Sequence, residues 1–147
     1  MATNRSPEDF RKHQSLVEEL IGWLEEQGYR IDGADGVEGF AVPLELENDG
    51  YGDQQDQVPD VAGFDIPGQR LVIGEAKTGK GDLETEHALT QYNVFLDQVH
   101  PRSLRQAMLF IIVPSAIVAE FNTLITHYIH PDLWGNITVV QSRKWTS

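Results

Sequence analysis

Asp60, Glu75 and Lys77 are the residues whose types and spacing can do chemistry. Glu75 and Lys77 stand two apart, so on a strand their side chains share one face. Asp60 directly follows Pro59 and is separated from Glu75 by fourteen residues. If a hairpin carries them, Asp60 lies beside Glu75. The chain has no cysteine, which removes disulfides, thiolate zinc sites and a thiol nucleophile. Two converging carboxylates then suit a hard, oxygen-preferring divalent ion such as Mg²⁺ or Mn²⁺. Such an ion polarises a phosphoryl oxygen and lowers the pKa of bound water, and a neighbouring lysine orients that water or helps deprotonate it. Those parts describe a phosphodiester hydrolase. The competing reading of Glu-x-Lys is a solvated strand face with a weak ion pair. Asp65 is an alternative partner acid, but it borders Pro67-Gly68 and suits turn chemistry.

The elements that must position these residues follow from periodicity. Ser6-Pro7-Glu8 is a helix start, with a capping serine, a first-turn proline and an acid at the positive dipole end. Phe10, Val17, Leu20, Ile21 and Leu24 recur at helical spacing, and Glu19 points away, so the first helix is predicted over 7–28 with Gly28 as its cap. Val37–Leu46 reads as a strand, with Pro43 marking an edge or bulge. Asn48–Gln57 is a polar loop. Val58–Ile66 and Arg70–Thr78 read as strands joined by the Pro67-Gly68-Gln69 turn. Asp82 is the expected cap of a helix running to Gln98. The apolar run Gln106–Val113 reads as a strand buried on both faces. A helix from Pro114-Ser115 to Tyr128 and a strand at Ile137–Gln141 complete the order α-β-β-β-α-β-α-β, which predicts an α/β mixed sheet with helices on its faces. At 147 residues the chain is expected to form a single domain over 1–147.

Pro59-Asp60 followed by Glu75-Ala76-Lys77 resembles the Pro-Asp, gap, (Asp/Glu)-x-Lys signature of the PD-(D/E)XK nuclease superfamily. That superfamily's core runs α-β-β-β-α-β with the signature on the second and third strands, and the likeness covers roughly residues 7–113. Val72-Ile73-Gly74-Glu75-Ala76-Lys77-Thr78 is similar to this strand in the branch of Holliday-junction resolvases and Mrr-like restriction nucleases. The resemblance implies a restriction-endonuclease-like sheet and a Mg²⁺- or Mn²⁺-dependent endonuclease acting on DNA. It implies that Asp60 and Glu75 bind the metal, that the Ala76 carbonyl completes the set, and that Lys77 positions the water. Members often add an acid from the first helix, for which Glu18 is the candidate. Some add a glutamine in the helix after the third strand, which here is Gln91. A tyrosine often follows that glutamine one turn later; Phe95 stands there instead and Tyr92 sits elsewhere, a departure from the exonuclease-type pattern.

Other polar groupings have plainer readings. His127 and His130, near Asp132, suit a helix end better than a metal site. Gly79-Lys80-Gly81 reads equally as a phosphate-cradling turn or a flexible link. Arg102 and Arg105 read as DNA-backbone contacts or as ordinary surface.

The charge, −12 from 11 Lys+Arg and 23 Asp+Glu, argues against a nucleic-acid binder when taken as a sum. Its distribution tempers this. Residues 1–60 hold four basic and fifteen acidic side chains, a net of −11, whereas 61–147 are near neutral. The half bearing Glu75 and Lys77 is therefore expected to tolerate DNA, with a homodimer or a protein partner supplying specificity. The alternative function is a non-catalytic nuclease-fold module whose acidic N-terminal half binds a basic protein, and a third is an acidic surface that only solvates. No apolar run approaches the ~20 residues of a membrane span, and Met1–Pro7 lacks the apolar core of a secretory signal, so a cytoplasmic location is expected.

Overall fold

Ser6 opens the chain's first helix as expected, its hydroxyl accepting the Asp9 N–H at 3.1 Å, with Pro7 in the first turn. This helix, α1 (Pro7–Glu26), ends where Gly28 takes a φ of +91° that an L side chain resists. The computed structural model describes residues 6–52, 54–79 and 81–147. The strands are β1 (Arg30–Ala34), β2 (Val61–Asp65), β3 (Arg70–Ala76), β4 (Met108–Val113) and β5 (Ile137–Gln141), and α2 (Glu86–Leu96) and α3 (Val118–Tyr128) are the remaining α-helices. They form one five-stranded mixed sheet in the order β1-β2-β3-β4-β5. The first three strands pair antiparallel, and β4 and β5 extend the sheet in parallel. The fold is thus α/β, and among the described residues no helix is long and apolar enough to cross a membrane.

The sheet is covered on both faces. Leu16, Val17, Leu20 and Leu24 of α1 are fully buried against Val61, Val72, Ala76 and Ile112. At about 1.5–3 kcal/mol per buried aliphatic side chain, this face alone holds α1 firmly on the sheet. On the other face α2 and α3 pack Tyr92, Phe95 and Phe121 against Ile73, Leu109 and Ile111. Every residue of β4 after Met108 is buried, in keeping with a parallel strand covered from both sides.

The first strand is not where the sequence places it. Val37–Leu46 is irregular apart from a lone bridge between Leu46 and Gln57. Among the described residues its β-formers have no strand to pair with: Val42 and Leu44 are 66% and 84% exposed, and Pro43 has no N–H to offer. The chain instead leaves Gly28 directly into β1, which pairs from Arg30 opposite Phe64 to Ala34 opposite Val61. Gly33 makes room for the following segment to fold back, since a Cβ there would meet the Ala41 carbonyl at 2.9 Å. The Ala34 N–H donates to that same carbonyl.

Two helix starts also move. Asp82 does not cap α2; Thr85 does, its hydroxyl accepting the Ala88 N–H at 3.0 Å. Ahead of α3, Ser115–Ile117 forms a 3-10 turn. The hairpin between β2 and β3 turns through Pro67-Gly68-Gln69 as predicted, with Gln69 at φ +54°.

Candidate active site

Carrying the β2–β3 register one step beyond Val61 opposite Gly74 sets Asp60 directly opposite Glu75. Asp60 is tied to β3 by two bonds of 2.9 Å: its N–H donates to Glu75 Oε1, and the Ala76 N–H donates to Asp60 Oδ2. Alternation puts Glu75 and Lys77 on the face covered by α2. There Lys77 Nζ lies 3.8 Å from Glu75 Oε2 and donates to Gln91 Oε1 at 2.6 Å. Glu75 and Lys77 are buried, with side chains 3% and 5% exposed, while Asp60 keeps 15%. A weak ion pair on a solvated face does not describe this pair. The structure brings Asp60, Glu75, Ala76, Lys77 and Gln91 to one place, at the end of the sheet away from the hairpin turn.

The helix-borne residue at the site is His13, not Glu18. Glu18 is exposed and lines a separate groove with Trp23 and β5. His13 Nε2 lies 3.0 Å from Asp60 Oδ2. A signal for it exists in the sequence. Stepping back four residues from Leu16 and Val17 continues the buried stripe onto Lys12 and His13. Polar residues on such a stripe need buried partners: His13 has Asp60, and Lys12 Nζ donates to the Thr78 carbonyl at 3.2 Å. Glu19 does not simply point outward either. It accepts from Ser142 Oγ at 2.6 Å and from the Arg143 N–H at 2.7 Å, tying the C-terminal segment to α1.

Asp82, freed from capping, pins the turn that leaves β3. It accepts from the Thr78 N–H, the Thr78 hydroxyl and the Gly79 N–H at 2.7, 3.1 and 2.8 Å. Gly79 sits at φ +84°, a conformation that glycine adopts without strain. Lys80 lies outside the described residues. Tyr92, off the expected position one turn after Gln91, still borders the site: its ring centroid is 5.6 Å from Lys77 Nζ, and its hydroxyl donates to the Leu83 carbonyl.

The remaining sequence candidates lie elsewhere. Arg105 donates to the Gly68 carbonyl at the hairpin turn, at the other end of β3, ~20 Å along a seven-residue strand. Arg102 is exposed in the turn before Arg105. His130 accepts the Asp132 N–H at the start of a 3-10 segment, and His127 meets the Tyr128 ring edge to face at the end of α3.

Electrostatics at the site are uneven. Burial and the facing Asp60 carboxylate push the Glu75 pKa well above the usual range, against the pull of Lys77. Burial also acts to raise Asp60, but the contact with His13, the Ala76 N–H and Lys77 outweigh it and hold Asp60 below its ordinary value. Two acids that repel each other in a buried place are relieved by a cation between them. Among the described residues no three His, Asp or Glu side chains form a ready-made metal cage. Two carboxylates with water completing the shell suit Mg²⁺, which keeps several waters, better than zinc.

Asp60, Glu75, Lys77 and Gln91 open onto a cleft of about 940 Å³ between α1, α2 and the loop before β2. Its charge departs from the near-neutral site half expected from the sequence. Asp35, Glu45 and Asp56, from the acidic first sixty residues, line the same cleft, and Arg11 and Lys77 are the Lys and Arg residues on its wall among those described. No family model, no curated protein and no solved structure matches this chain.

Proposed function

We propose that the protein is a metal-dependent DNA endonuclease of the PD-(D/E)XK type, with a restriction-endonuclease-like fold. The observation that carries the reading is the pairing of Asp60 with Glu75 across the hairpin, with Lys77 on the same buried face and anchored by Gln91. In this reading Asp60 and Glu75 hold Mg²⁺ or Mn²⁺, with the Ala76 carbonyl as the third protein donor. The ion, when bound, supplies Lewis-acid polarisation of the phosphoryl group and a water of lowered pKa. Lys77 would orient an attacking water and offset the charge that develops on the phosphate. Gln91 accepts from Lys77 and so fixes where its ammonium points. His13 and the Ala76 N–H fix the Asp60 carboxylate.

The test is cleavage of branched, duplex and single-stranded DNA in Mg²⁺ or Mn²⁺. Cleavage by the parent protein, lost in Asp60→Ala, Glu75→Ala and Lys77→Ala, supports the reading. Cleavage that survives all three substitutions removes these residues from the chemistry. A folded, metal-supplied parent that cuts none of the substrates overturns the nuclease assignment and favours the non-catalytic binding module.

A further inference from the structure

Phe10 is 56% exposed, although its spacing puts it on the apolar stripe of α1. Phe10 and the neighbouring Arg11, in the first turns of α1, line the cleft that holds Asp60 and Glu75. Phe10 and His13 are three apart, so they lie on adjoining parts of one helix surface. Along the axis they are separated by about 4.5 Å. His13 touches Asp60 at 3.0 Å. An aromatic ring is thus presented to the cleft within about one helical turn of the residue that contacts the paired carboxylates.

We propose that the cleft takes single-stranded DNA and that Phe10 is the platform on which a base next to the reacting phosphate stacks. This rests on the nuclease reading and names its substrate. Two observations favour a single strand over a duplex. A paired base is already stacked within its helix, so an exposed ring gains contact only with an unstacked one. The cleft walls also carry Asp35, Glu45, Asp56 and Asp82 against Arg11 and Lys77. A duplex brings one phosphate per ~1.7 Å of axis, a single strand half that density. An acidic cleft therefore repels a duplex more, and stacking on Phe10 supplies attraction that does not depend on charge.

The experiment compares one short DNA sequence as a single strand and as a blunt duplex. Cleavage is followed in Mn²⁺, and binding is followed separately by fluorescence anisotropy in Ca²⁺. Phe10 is exposed, so its variants test the ring rather than the fold. The single strand should be both bound and cut in preference to the duplex. Phe10→Ala should raise KM for the single strand about tenfold with kcat near the parent's, and Phe10→Trp should restore KM. A preference for duplex, or an unchanged single-strand KM in Phe10→Ala, overturns the proposal while leaving the nuclease reading intact. Binding of the strand through Phe10 with no cleavage supports the platform and overturns the nuclease reading. An effect of Phe10→Ala on self-association alone, with strand binding untouched, assigns the ring to a protein contact and overturns the proposal.

Discussion

Gly74 links the packing of α1 to the candidate site, and Gly74→Ala tests that link. A Cβ at Gly74 would lie 2.9 Å from Leu20 Cδ2 and 3.0 Å from Val61 Cβ. Carbon atoms rest at about 3.5–4.0 Å, so something must yield by roughly 0.6 Å. Leu20 and Val61 are both fully buried, so the strain is expected to be relieved by α1 lifting off the sheet rather than by rotation of Leu20 alone. Overpacking of this kind costs about 1–3 kcal/mol. The reduced freedom of the unfolded chain returns about 0.4–1 kcal/mol. A net loss of about 1–2 kcal/mol lowers Tm by about 3–6 °C in a chain of this size. The lift also stretches the 3.0 Å contact between His13 and Asp60 beyond the range of a good hydrogen bond. The assay is thermal unfolding of the parent, Gly74→Ala, Leu20→Ala and the double variant. The cost of Gly74→Ala should shrink when Leu20 is already alanine. An unchanged Tm, or effects that add within about 0.5 kcal/mol, would refute the account of α1 seated through Gly74.

Three further outcomes are expected. Glu75 has a pKa raised in the folded protein, so its effect on stability is most favourable below the unfolded-state pKa and is lost as pH rises toward the folded value. Asp60, held low, acts in the opposite sense and adds stability above its unfolded pKa. Glu75→Gln should therefore flatten the fall in Tm of the metal-free protein as pH rises above the ordinary glutamate range of about 4, and a steeper fall in melts across that rise would count against the assignment. Gln91→Leu removes the acceptor of Lys77 Nζ; kcat should drop about 10- to 100-fold with KM little changed, and steady-state kinetics showing a pure KM effect would place Gln91 in substrate binding instead. Asp82→Ala loses the three bonds that pin the turn after β3 and should cost about 1–2 kcal/mol, read in chemical denaturation, with parent-like stability as the contrary result.

The sequence carried the site further than it carried the fold's first strand. The β2–β3 hairpin was legible because Pro67-Gly68-Gln69 separates two β-rich runs, and the period of two then placed Asp60, Glu75 and Lys77 together. Gln91 came from the resemblance alone, and its contact with Lys77 depends on how α2 lies across the sheet. Val37–Leu46 misled because β propensity says nothing about a pairing partner; Arg30–Ala34 has one, with Ile31 as its single large apolar residue. Glu18 was chosen as a first-helix glutamate at the edge of the apolar face, whereas His13 lies on the buried stripe itself, where α1 passes Asp60. The acidic cleft was hidden for another reason. A split of charge along the chain cannot show that Asp35, Glu45 and Asp56 fold back over the other half's residues.

The central claim is that Asp60 and Glu75 together hold a divalent ion. Calorimetric titration of Mn²⁺ into the parent, Asp60→Asn and Glu75→Gln tests it most directly. A saturable site in the parent, weakened at least about tenfold by either substitution and displaced by Mg²⁺, is the predicted result. Mn²⁺ binding that is absent from the parent, or the same in all three proteins, would contradict it.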